Sequence, residues 1–463
     1  TALVASAPSG TYPCRDGLVY LTVNRPLHWK ALAQWVSEVT GCREILEPMF
    51  EGPSSNRIPD RDLLDLYIRD LTSRLTVDEV YHEGQRRHIA FTPVNSAAAV
   101  VADPHLASRD YFVDVEHAGL GRLRFPGAPY RHSETPWHVS RPAPRIGQHN
   151  REVYCGEFGL SDEEFRALER DGVIARNGST RIEGGSFVGP FPGALQEGEE
   201  RPGQASQIRG RSRGGKPSGE HAPQAVLGPS LEAQALHGIR VLEFTAGMAG
   251  PWVGRFMSYC GAEVIRVEST KRPDVVRLYV PPWAPEMGTQ PQMSPWFTDW
   301  DAGKKYVALD LTKPEAVELA KRLVTISDVV VENYTSGVMD KLGLGYPELR
   351  HVKPDLLMLS TSGYGDSGPC RPYVTWGPNI ETLSGLSTLS GFPERHCTMT
   401  QYAYPDPVGA LHGLVAVLCA LDYRRRTGTG QYINLSQYEA TISVIGHVML
   451  EYLVNDREPR RLG

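Results

Sequence analysis

The chain has 463 residues, 41% hydrophobic and 22% charged, with 48 Lys and Arg against 54 Asp and Glu and a formal net charge of -6. That length suits two or three domains with cores of their own, and the slightly acidic balance gives no electrostatic basis for a nucleic-acid partner, which requires Lys and Arg gathered on one face. No apolar stretch is read as reaching the ~20 residues of a membrane span, so neither a transmembrane helix nor a membrane partner is expected.

Cys14, Cys42, Cys155, Cys260, Cys370, Cys397 and Cys419 are odd in number, scattered and never spaced as C-x-x-C. They read as reduced thiols of a cytoplasmic protein. The chain opens at Thr1 on a polar stretch rich in Ser, Pro and Gly, without the pattern of a secretory leader. Without an initiator Met, the sequence is expected to be a fragment of a longer one.

From Gly17 to about Arg176, short apolar strands such as "GLVYLTV" alternate with amphipathic helical stretches, "HWKALAQWVSEV" and "DLLDLYIRDLTSRL". This predicts a smaller α+β domain over residues 1–185. Near its end, Ser161 ahead of Asp162, Glu163 and Glu164 is a capped, acid-led helix start. Residues 186–234 are dominated by Gly, Pro, Arg, Glu and Ser and have few large apolar side chains. Such a segment buries too little to offset its chain entropy and is expected to be a disordered linker, its arginines solvated.

Residues 235–463 have a different rhythm. The apolar strands "IRVLEF", "AEVIRVE", "DVVVEN" and "DLLMLSTSG" alternate with helical stretches such as "GPWVGRFMSYCG" and "KPEAVELAKRLVTI". The fold class expected is α/β, a doubly wound parallel, Rossmann-like sheet in the second half. The turn "TAGMAGP" after the first strand carries Gly247 and Gly250, with Pro251 suited to a first helical turn. A glycine turn feeding a helix offers free N–H groups to an anion. Glu268 ends the second strand, where a dinucleotide fold holds a ribose hydroxyl. The spacing is not G-x-G-x-x-G, so a nicotinamide-dependent oxidoreductase and a plain tight turn both stay open. Lys304 and Lys305 precede a strand, either to meet phosphate or to be solvated. Glu332, Asn333 and Tyr334 stand at a strand's carboxyl end, where open α/β sheets bind ligands. A second glycine loop, "SGYGDSGP", follows "LLMLS" and holds Gly363 and Tyr364.

In this order, "LHGIRVLEFTAGMAGPWVGRFMSYCGAEVIRVES", "DAGKKYVALDLTKPEA", "SDVVVENYTSGVMDKLGLGYPELR", "STSGYGDSGP" and "RRRTGTGQYINLSQYEA" resemble the amino-terminal half of a family III CoA-transferase, the group of the formyl-CoA, carnitine and benzylsuccinate CoA-transferases. The earlier "SGTYPCRDGLVYLTV", "ADPHLASRDYF", "HSETPWHVSRPAPRIGQHN" and "FGLSDEEFRALERDGVI" resemble the same family's carboxyl-terminal half. The halves are thus inverted. A piece of a tandem fusion or a circular permutant explains that order, the fusion being the favoured expectation.

The resemblance implies acyl-CoA and carboxylic acid substrates, no permanently bound cofactor and no metal. It also implies interlocked rings, either as a homodimer or as an intrachain pseudo-dimer. The CoA set it implies, joined by the lysine and glycine-loop candidates above, is Met248, Ala249, Glu268, Lys304, Asn333, Tyr334, Lys341, Leu342, Gly363 and Tyr364. Tyr334 and Leu342 read equally well as core packing. Backbone N–H groups of the two glycine loops are candidates for the oxyanion of acyl transfer.

Asp406, between two prolines ahead of an apolar run, reads from the residues alone as an N-cap. At a helix start the dipole lowers its pKa, and Gly409 is expected to leave open space beside it. By resemblance Asp406 is instead the nucleophile, attacking an acyl-CoA thioester to give an acyl-aspartyl anhydride and then an aspartyl-CoA thioester. A 2-methylacyl-CoA racemase is the alternative within the superfamily; its "GHD"-like His is absent from "WGPNIETLSG", which begins at Trp376, and His412 is expected to be a packed core histidine. A non-catalytic CoA-binding module is the remaining alternative.

Overall fold

The structure is a computed structural model that describes residues 7–23, 26–52, 54–117, 121–127, 135, 137–175, 234–278, 294–395, 397–400 and 402–458. Apart from Gln234, the linker expected at 186–234 lies outside the described residues. The chain divides into two compact units, one of residues 1–112, 375–405 and 438–463, the other of residues 113–374 and 406–437.

The first unit is built on an antiparallel sheet of β1 (Ser9–Pro13), β2 (Leu18–Thr22) and β3 (Ala90–Pro93), in that order. Strand β2 alternates, so Val19 and Leu21 point inward while Leu18 and Tyr20 stay exposed. Helices Pro26–Thr40 and Arg61–Ser73 bury Trp29, Leu32 and Val36, and Leu64, Ile68 and Leu71, in the same core. Those three- and four-residue spacings are a single helix face. The third helix, Val77–Arg86, starts with a capping box between Thr76 and Glu79.

In the second unit, β4 (Phe112–His117) and β5 (Gly121–Pro126) pair with each other. The main sheet comprises β6 (Arg240–Phe244), β7 (Glu263–Glu268), β8 (Lys305–Ala308), β9 (Val329–Glu332), β10 (Leu357–Ser362) and β11 (Gln431–Ser436). Its strand order is β11-β10-β9-β6-β7-β8 and every pairing is parallel. This is the dinucleotide-fold order, with its reversal between β6 and β9. Both faces are covered, which is why the strands read as continuous apolar runs. Leu242, Phe244, Val330 and Met358 face the helix Pro314–Thr325 and residues Tyr154, Phe165 and Ile174, so this unit draws on residues from both sides of 176–233. On the other face Val241, Val329 and Leu359 meet Val253 and Met257 of the helix Ala249–Tyr259, together with Ala410, Val417 and Ala420 of the helix Pro405–Thr427.

Two sequence expectations change here. Edge strand β11 was not singled out, because Gln431, Tyr432 and Asn434 break its apolar character and only one neighbour supports it. The helix Pro405–Thr427, at 23 residues, does have the length and apolarity to cross a membrane, contrary to the reading that no stretch approaches it. In this fold its apolar content has another cause. One side packs on the sheet, and Leu411, Val415 and Leu418 form an exposed stripe.

Candidate functional site

At the strand-order reversal, the turn from Thr245 to Ala249 leaves β6 and enters the helix Ala249–Tyr259. Its main chain is tied down residue by residue. Arg266 Nη2 donates to the carbonyl of Thr245 at 2.8 Å. The N–H of Ala246 donates to Asn333 Oδ1 at 2.8 Å, and Asn333 Nδ2 donates back to the carbonyl of Ala246, also at 2.8 Å. Gly247, at φ +71°, donates its N–H to both carboxylate oxygens of Asp274, at 3.0 and 3.1 Å. Only glycine sits there without strain. A Cβ on Gly250 would come within 2.5 Å of Thr245 Cγ2 and 3.0 Å of Asn333 Cγ, so the close packing of turn and helix requires glycine at that position too.

Asp406 comes to this turn from the start of the helix Pro405–Thr427. Asp406 is a half-buried residue, and the backbone N–H groups of Ala249 and of Asp406 itself lie close enough to its carboxyl to favour the charged form. Three expectations are corrected. Asp406 stands in the first helical turn, not at the N-cap, because the helix already begins at Pro405. Its pKa lies up, at about 7: loss of hydration on burial outweighs the two N–H groups that favour the charged form. Nor does Gly409 leave open space, since a Cβ there would lie 2.9 Å from Gln437 Cγ.

Other candidates separate by what their polar atoms already do. Lys304 is fully buried; its ammonium meets Glu243 at 3.0 Å, Asp301 at 3.0 Å and the carbonyl of Pro251 at 2.7 Å, so it is a core charge and not a phosphate ligand. Lys305 is likewise tied, to Glu152, Glu157 and Glu263. The carboxylate of Glu268 is gripped by Arg277 through Nε and Nη2, each at 2.8 Å, and by the N–H of Asp274 at 2.9 Å, which leaves it unsuited to a ribose hydroxyl. The side chain of Asn333 is committed to Ala246. Met248 and Ala249 are buried at the turn. Tyr334 and Leu342 are half-buried against the core, and Lys341 is exposed. Gly363 and Tyr364 lie partly exposed beyond β10, where the Tyr364 ring meets Tyr373 edge-on at 6.0 Å. His412 is exposed, its Nδ1 2.8 Å from the carbonyl of Val408; the packed-core reading fails because it points off the helix face that meets the sheet.

The glycine turn is also not an open oxyanion cradle: the N–H groups of Ala246 and Gly247 are taken by Asn333 and Asp274. Sequence reading missed Asp274, Arg266 and Arg277. "RPDVVR" after the second strand was the available signal, but nothing in it tells a turn anchor from a surface pair. A second feature was not foreseen either. Glu332, buried at the end of β9, lines a cavity of about 230 Å³ with Asp340, Tyr346, Asp366, Arg371 and Tyr432. Burial first, and the charges of Asp366 and Asp340 next to it, push Glu332 up to about 7 despite the N–H of Tyr334, which donates to it at 2.9 Å.

Fold and site together define a protein with a dinucleotide-type parallel sheet and a carboxylate of raised pKa at its strand-order reversal. The chain belongs to CoA-transferase family III, whose family model matches residues 1–150 and 236–463. It is 31% identical over 228 residues to the succinate–glutarate CoA-transferase of Agrobacterium fabrum, covering 49% of this chain and 57% of that protein. To the succinyl-CoA–D-citramalate CoA-transferase of Chloroflexus aurantiacus it is 33% identical over 228 residues, covering 49% of this chain and 55% of that protein. The chain thus spans about half the length of the curated relatives it matches. Among solved structures, a CAIB/BAIF family protein from Brucella suis aligns over 50% of this chain and 60% of its own, with 32% identity and a TM-score of 0.46.

Proposed function

We propose that this chain contributes the catalytic aspartate and CoA-binding sheet of a transferase that moves CoA from an acyl-CoA to a carboxylic acid. The observation that carries the reading is Asp406: a half-buried acid whose carboxyl has a raised pKa, beside the turn at the point where doubly wound sheets bind ligands. A carboxylate with little hydration is a more reactive nucleophile than one fully solvated, and at neutral pH about half of it is ionised.

In the proposed sequence an oxygen of ionised Asp406 attacks the thioester carbonyl, and the C–S bond breaks to release CoA thiolate. The thiolate attacks the aspartyl carbonyl of the mixed anhydride, releasing the donor acid and leaving an aspartyl-CoA thioester. The acceptor carboxylate then repeats the two steps in reverse order, taking CoA and restoring Asp406. No net proton or electron is gained or lost. The Ala249 N–H favours the charged form of Asp406 at the start and end of the cycle. Exposed Lys341 is the CoA-phosphate contact we favour, and Gly363 and Tyr364 line the approach.

The two relatives named above are called succinate–glutarate and succinyl-CoA–D-citramalate CoA-transferases, which supports short dicarboxylic acids as the acids between which CoA moves. We further propose that the chain joins parts of two family units and works as a homodimer or pseudo-dimer, which would cover the stripe of Leu411, Val415 and Leu418. The test is to mix the protein with succinyl-CoA, quench with hydroxylamine and map the modified residue by mass spectrometry. Modification at Asp406 is expected. Exchange without it sinks the mechanism.

A further inference from the structure

The N–H of Ala249, which favours the charged form of Asp406, is only as well placed as the turn that carries it. That turn is not held by its own backbone: four groups between Thr245 and Gly247 are bonded by side chains from elsewhere in the sheet. Three of these bonds come from the β7 side, where Asp274 and the guanidinium of Arg266 form a buried pair backed by Asp301. The remaining two come from Asn333, directly after β9 on the other side of the strand-order reversal. Asn333 pairs with both the N–H and the C=O of Ala246, which fixes the orientation of the peptide units on either side of it. It is therefore the one side chain among these that ties the β6 turn to the β9 half of the sheet. Its Cγ also stands where any Cβ on Gly250 would press, so turn, helix start and Asn333 pack as one piece.

We propose that Asn333 is a positioning residue, which through Ala246 holds the turn so that the Ala249 N–H stays beside the Asp406 carboxyl. Its role is then not the direct CoA contact that the sequence suggested. As a statement about catalysis it rests on Asp406 being the nucleophile, but the geometry is read without turnover. A neutral amide serves here where a carboxylate would not, because only the amide offers a donor and an acceptor side by side. The charges around the turn are those of Arg266, Asp274, Glu268 and Asp301, which Asn333→Leu leaves in place.

The test uses the full chain with carbon-13 in its aspartate carboxyl groups, the Asp406 signal being assigned by its loss in Asp406→Asn. Titrated by NMR from about pH 5 to about pH 9, Asn333→Leu should move the Asp406 midpoint up by about one pH unit, since a donor to the charged form is weakened. Asn333→Ser carries the same expectation with a smaller steric change, should the leucine variant fail to fold. A midpoint unchanged in a folded variant overturns the positioning role. Hydroxylamine trapping that misses Asp406 overturns the nucleophile instead, and leaves this titration standing as a statement about the turn.

Discussion

Ala249 lies beside Asp406, the backbone N–H of the residue that opens one helix favouring the charged form of the acid in the first turn of another. The two are more than 150 positions apart in sequence. The Ala249 N–H favours the charged acid and burial favours the neutral one; burial wins, and the pKa is pushed up to about 7.

The first prediction concerns pH. Protonated Asp406 has no nucleophilic oxygen, so the rate of hydroxylamine-trapped acylation should fall about tenfold per unit below pH 6 and level off above about pH 8. Rapid-quench measurements across that range check it. A rate independent of pH would mean that ionisation of Asp406 does not limit the step.

Asp406→Asn should abolish exchange while making the fold more stable at high pH. The folded pKa is raised above the unfolded value of 3.8, so the folded state holds a proton that the unfolded state has released, and stability falls as pH rises from about 4 to about 7. Removing the acid removes that loss. Because the group is partly exposed, the gain at pH 8 is on the order of 1 kcal/mol, and near zero at pH 4. Urea unfolding at the two pH values measures the difference.

Glu332→Gln follows the same sign. Its folded pKa of about 7 against an ordinary 4.5 makes the ionised form a burden above neutrality, and Gln keeps an acceptor for the Tyr334 N–H. A stabilisation of about 2 kcal/mol at pH 8, vanishing near pH 4, is expected by calorimetry. Equal effects at both pH values would assign the change to packing.

Lys304→Ala and Lys341→Ala should behave oppositely. Removing the buried Lys304 strands Glu243 and Asp301, at a cost of about 3–5 kcal/mol in stability. Lys341 is exposed, so its loss should leave stability within about 0.5 kcal/mol and weaken CoA binding several-fold. Denaturant unfolding and calorimetric CoA titration separate the two.

The alternation of apolar strands with helices foretold the doubly wound sheet, since a strand buried on both faces must be apolar throughout and its crossover must be helical. The capped start at Ser161 was also legible, because Ser161 and Glu164 bond to each other's backbone within one turn. Asp406 stood out through the family resemblance, while the residues alone read it as an N-cap with a lowered pKa. Local reasoning counts the helix dipole and misses the burial supplied by the rest of the fold. Lys304 and Lys305 look alike as neighbours in sequence, yet one is sealed against Glu243 and Asp301 and the other is shared among three glutamates. Local pattern therefore determined the elements, because periodicity and capping are short-range. Which side chains are spent on holding the turn, and what ionisation state burial imposes on Asp406, were decided only by strands β6, β7 and β9 converging at one end of the sheet, since desolvation and hydrogen-bond partners are set by neighbours in space.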